Sequence, residues 1–155
     1  MKNLKENKFD AEVNIFDIYQ LYESVIRFID DLKKSYNVLS KDINKFVKIF
    51  PDVRKHINEF TKLAYVITGK SVDGRICRLP ASADAFYKVK QLQSATHELG
   101  LLVDCFVKEV DKFIDWLYDN DAFDKFDEEK ADELSSLVCS LSLNFATFLS
   151  WVRKL

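Results

Sequence analysis

Residues 85–117 read AFYKVKQLQSATHELGLLVDCFVKEVDKFIDWL, and this stretch decides the fold. Ala85, Val89, Leu92, Thr96, Leu99, Val103, Phe106, Val110, Phe113 and Leu117 follow one another at alternating steps of four and three. Such spacing lays one stripe along one side of a helix, whereas a strand would alternate every second residue. Between them stand Lys88, Lys90, Glu98, Asp104, Lys108 and Asp111, which suit a wet face. The reading is one long helix over 83–118, with Ser82 as its N-cap.

The same rhythm runs outward in both directions. Leu134, Val138, Leu141, Phe145, Phe148, Val152 and Leu155 predict a helix over 128–154, with Asp127 as its cap. Upstream, Ile15, Ile18, Tyr22, Val25, Ile29, Leu32 and Tyr36 predict a helix over 11–36. Leu39, Ile43, Phe46, Phe50, Val53, Ile57, Phe60, Ala64 and Ile67 predict another over 41–68, stopped by Gly69. The turn between these two is expected near Asn37 and Ser40. Pro51 lies inside the second helix. Its ring removes a donor and crowds the preceding turn, so a kink is expected without loss of phase.

Only three Gly and two Pro punctuate the 155 residues, too few for a turn-rich β fold. The first seam, flanked by Tyr19, Leu21, Ile26 and Phe28, is wide enough for its helix to touch two neighbours. The expected architecture is therefore all-α: an antiparallel, up-down-up-down four-helix bundle with long helices. It would form one domain over 1–155, with residues 1–10 as a polar N-terminal tail.

Composition narrows the chemistry. The N-terminus has no apolar leader, and no run of about 18 apolar residues occurs. Cys77, Cys105 and Cys139 are odd in number and form no CxxC pair, which suits free thiols and a cytoplasmic setting. Cys105 and Cys139 are expected to be buried beside the stripes; Cys77 sits between Arg75 and Arg78. Neither His56 nor His97 has a Glu three residues before it, as a di-metal bundle would need. No zinc ligand cluster, P-loop, dinucleotide fingerprint or nucleophile elbow is present. The acidic stretch 119–129 lacks the Gly and the final Glu of a calcium loop, and is expected to be solvated, its acids capping the next helix. No catalytic residue, metal or cofactor is assigned, and an enzyme is not expected.

Charge is the most informative feature. Residues 38–80 hold nine basic and four acidic side chains; residues 81–155 hold eight and fourteen. One reading is neutralisation, a basic second helix packing beside an acidic third. The other is a basic pole. In an up-down-up-down bundle the 69–81 segment shares an end with both termini, gathering Lys70, Arg75, Arg78, Arg153 and Lys154. Tyr19, Phe28, Tyr87, Trp116 and Tyr118 stand beside the stripes and add candidate contact surface.

The sequence thus points to an interaction protein, of the inhibitor, immunity, antitoxin-like or adaptor kind. It would bind another protein with an acidic surface through helix faces or the basic pole, with self-association a further option. The candidate partner-binding residues are Lys70, Arg75, Arg78, Arg153, Lys154, Trp116 and Tyr118. A nucleic-acid regulator using the 69–81 segment and the terminal lysines is the alternative, disfavoured by a net charge of −2. A membrane-acting bundle is third.

Overall fold

A computed structural model describes residues 15–69 and 83–155. They form α1 (Ile15–Lys41), α2 (Ile43–Gly69), α3 (Ala83–Asp119) and α4 (Glu128–Arg153). Helix accounts for 91% of the described residues, with no strand among them. The four helices pack as a bundle around one hydrophobic cluster to which each contributes.

The stripes are the core. All ten positions read from residues 85–117 are buried. So are Leu134, Val138, Leu141, Phe145, Phe148 and Val152 in α4. Among the described residues, Ser35 and Thr96 are the polar side chains that share this interior. Each hydroxyl donates to a carbonyl one turn back, Ser35 to Asp31 O at 3.0 Å and Thr96 to Leu92 O at 2.7 Å. That back-bond satisfies a hydroxyl without a tertiary partner. Phe28 is also buried, not exposed as expected: its ring stacks on Phe60 with centroids 4.5 Å apart and planes 6° from parallel.

The first turn falls later than expected. Helix α1 continues past Asn37 and Ser40 to Lys41, and Leu39, counted with the second stripe, extends the first. Its spacing from Leu32 and Tyr36 keeps it in phase with α1. The chain reverses at Asp42, whose carboxylate accepts from Lys45 N at 3.1 Å, as a helix cap does. Helix α2 then runs unbroken across Pro51.

Helix α1 packs against α2 and α3, and α4 packs against α2 and α3. Helices α2 and α3 therefore lie across a diagonal, as do α1 and α4. The named contacts set the sense of each pair. Phe28 meets Phe60 and Asp31 meets His56, so α1 and α2 run in opposite directions. Gln93 bonds to Val152, and Gly100 lies against Phe145, so α3 and α4 do too. Lys88 lies over Tyr19 and Glu98 pairs with Lys33, so α1 and α3 ascend together. Arg54 pairs with Glu133, and Phe60 meets Phe148, so α2 and α4 also ascend together. Two antiparallel hairpins lie face to face.

This arrangement corrects the expected neutralisation. Basic α2 is not beside acidic α3. Its acidic neighbours lie on α4 and α1. Arg54 Nη1 reaches Glu133 Oε2 at 2.7 Å, and its guanidinium also lies 5.4 Å from the Phe50 ring centroid. His56 Nδ1 lies 3.3 Å from Asp31 Oδ2.

The acidic 119–127 segment is not simply solvated either. It follows a Schellman-type stop on α3, with Ala122 N donating to Leu117 O and Asp121 N to Tyr118 O. Asp121 takes the left-handed conformation there, with φ of 50°. The Phe126 ring is 1% exposed and lies 5.2 Å from Phe50, 5.3 Å from Phe113 and 6.4 Å from Phe46. As expected, Asp127 caps α4, its carboxylate accepting from Lys130 N at 2.8 Å.

Candidate functional site

One end of the bundle collects the start of α1, the end of α2, the start of α3 and the end of α4. It carries exposed aromatic rings. Tyr65 is 74% exposed, Phe86 66% and Tyr87 60%. Phe86, Lys90, Gln93 and His97 recur at helical spacing, so they share one face of α3. Gln93 Nε2 donates to Val152 O at 3.3 Å, which identifies that face as the one meeting the end of α4. Lys90 Nζ lies 5.3 Å from the Phe86 ring centroid. On the other flank Lys88 Nζ lies 4.1 Å over Tyr19. Cations over rings at exposed sites contribute about 0.5–1 kcal/mol, enough to orient a side chain.

Arg153 and Lys154 stand at this end, both exposed. Arg153 ends α4, and the Lys154 N–H donates to the Trp151 and Val152 carbonyls as its C-cap. Lys70, Arg75, Arg78 and Cys77 lie outside the described residues. The segment that carries them joins Gly69 to Ala83, and both attachment points belong to this end.

Trp116 and Tyr118 are exposed, but elsewhere. Gln93 lies beside Val152, and Trp116 is 23 residues further along α3, about 34 Å at the helical rise. Tyr118 leans edge-on against Phe123 at 5.0 Å. The structure does not bring these aromatics and the terminal cations into one surface. What sequence reading missed is Phe86 with Lys90. The signal was present: an aromatic one position out of phase with the Ala85 stripe, and a cation four residues on.

Among the described residues, clefts open along two of the helix seams. One, of about 220 Å³, lies between α1 and α2 over the Phe28–Phe60 stack and is lined by Ser24, Arg27, Asp31, His56 and Glu59. Serine, histidine and aspartate in one cleft invite a hydrolase reading, but the spacing opposes it. Asp31 is opposite His56, and Ser24 lies seven residues from Asp31, about 10 Å along α1. No hydrogen bond joins Ser24 to His56 among the described residues. The other cleft, about 320 Å³, lies between α3 and α4. Phe145 fills its floor beside Gly100, where a Cβ would come within 3.1 Å of the ring.

Cys105 and Cys139 are exposed, not buried. Each sits next to a stripe residue, Phe106 and Val138, but about 100° further round its helix. No cluster of three or more metal-ligating side chains occurs among the described residues. Helix α4 is long and apolar enough to cross a membrane, a weak indication because the core helix of a soluble protein has the same composition. No protein-family model matches the chain, and no curated protein or solved structure does.

Proposed function

We propose that this chain is a non-enzymatic protein-binding module, of the inhibitor, immunity or adaptor kind. Its binding surface is the corner where α3 begins and α4 ends, and its partner presents acidic groups around an apolar patch. The observation that carries this is Phe86, two-thirds exposed, with Lys90 over its ring and Arg153 and Lys154 at the adjoining helix end. Large exposed aromatics framed by cations have the composition of an interface core and its rim. Exposed Phe has no structural benefit at a helix start, since burial would contribute about 1.5–3 kcal/mol.

The test is affinity capture from the native host, followed by a dissociation constant for the captured protein. The Phe86→Ser, Lys90→Glu double variant is expected to bind at least tenfold more weakly, about 1.4 kcal/mol, with its melting curve unchanged. Equal affinity of this variant and the parent protein would remove the corner from consideration. Captured nucleic acid with a steep salt dependence would instead favour the regulator reading.

A further inference from the structure

Helix α4 has a second seam, on the side away from the core. Ser136, Cys139, Leu143, Ala146 and Ser150 follow one another at steps of three and four, and all are exposed. Leu143 stands out at 72% exposure, and Ala146 of the same seam lines the α3–α4 cleft together with Leu101, which is also exposed. The same steps continue to Asp132 and Glu129 at the start of the helix and to Arg153 at its end, all three exposed. From Leu134 to Val152 there is no charged residue, in a chain that is 31% charged. A solvated helix face is normally polar and charged. This one is a narrow seam of small residues around a single leucine, with acids at one end and a base at the other.

We propose that this seam pairs with the seam of a second copy, antiparallel about a two-fold axis. The bipolar charge selects the partner and its direction. Alternating three- and four-residue steps make the positions equivalent to the a and d sites of a helix pair. In the antiparallel register that uses every position, Glu129 faces Arg153 of the second copy, and Ser136 faces Ala146. Cys139 faces Leu143, so each large side chain meets a small one, and symmetry repeats each contact. A parallel pair would instead set Arg153 against Arg153 and acid against acid. Among the described residues neither Glu129 nor Arg153 is held in a salt bridge within its own chain, so both are free for this contact. The seam is about 36 Å long at the helical rise. A single helix pair buries an area at the low end of specific interfaces, so a weak, reversible dimer is expected.

Sedimentation velocity of the full chain, from about 10 μM to about 1 mM to span weak association, tests this. The parent protein should pass from monomer to dimer, and Leu143→Asp should weaken the dimer at least tenfold. Arg153→Glu should weaken it too, and adding Glu129→Arg to Arg153→Glu should restore it. Leu143 is exposed, so its replacement should leave the circular dichroism melt in place. A chain that stays monomeric throughout overturns the proposal, as does a dimer indifferent to Leu143→Asp. Failure of the charge swap to rescue overturns the register and with it the two-fold pairing. Arg153 borders both surfaces, so its variants are read by sedimentation of the chain alone; Phe86→Ser should not alter the dimer and Leu143→Asp should not alter partner binding, which keeps the two results apart.

Discussion

The two ends of the bundle are built on opposite plans. At one end the chain supplies a plug. Phe126 comes off the 119–127 segment and closes the core against Phe46, Phe50 and Phe113. At the other end Tyr65, Phe86 and Tyr87 face outward. Aromatic content is similar in kind, but one set is spent on cohesion and the other is left available. Exposure is not confined to that end, since Trp116 and Tyr118 beside the plug are exposed as well.

The contrast can be broken by substitution. Phe126→Ala should have the largest effect, a loss of about 3–5 kcal/mol, because it opens a cavity among three rings. Urea denaturation checks it, and a change under about 1 kcal/mol would show that the plug does not hold the core. Next comes Asp127→Ala, expected to cost about 1 kcal/mol through the lost bond to Lys130 N. Asp121→Gly should act in the other direction, stabilising by about 0.5–1 kcal/mol, since glycine takes the left-handed conformation without the side-chain penalty. The smallest effect belongs to the open end. Phe86→Ser with Tyr87→Ser should shift stability by less than about 0.5 kcal/mol, as exposed positions do. A loss of several kcal/mol there would mean that these rings are structural and would erase the contrast.

Much of the fold was legible in the sequence because a single stripe reports which side of a helix is dry. Helix α3 is the clearest case: its ten stripe positions are all buried, and its observed end, Asp119, falls one residue past the expected one. What a stripe cannot report is which helices share it. The stripe of α2 says which of its faces is dry, but not that its neighbours are α1 and α4, so the charge argument paired it with the wrong helix. The plug was hidden for a different reason. Phe126 stands among six acids between Asp119 and Glu129, and local composition outvoted one ring. Cys105 and Cys139 show the limit of proximity in sequence, where one step from a core residue is a quarter turn away from it.

The candidate site was half legible. Arg153 and Lys154 are exposed where the terminal pole was expected, and Trp116 and Tyr118 are exposed as well. Their separation from the terminal cations follows from the length of α3 and its antiparallel pairing with α4, which the expected topology already implied. The outer seam of α4 is the opposite case. Its three-and-four spacing was in the sequence throughout, but only the burial of the opposite stripe reveals that it is a face without a partner.

Laying the hairpins face to face has a consequence for how the chain finds its structure. Within a hairpin the facing residues are closest in sequence near the turn, as Asp31 and His56 are, and grow apart toward its open end, as Gln93 and Val152 do. Between hairpins they are distant: Lys33 meets Glu98, and Arg54 meets Glu133, 79 residues on. Half of the helix interfaces are therefore non-local, unlike a bundle whose neighbours follow in sequence order. Such a topology raises contact order, and folding slows as the separation between partners grows. The hairpins are the units that local contacts can form early, and their docking is the step that must wait for a long loop to close. Refolding slower than that of sequence-ordered bundles of this length is the expected signature, with the α1–α3 and α2–α4 seams the last to gain protection.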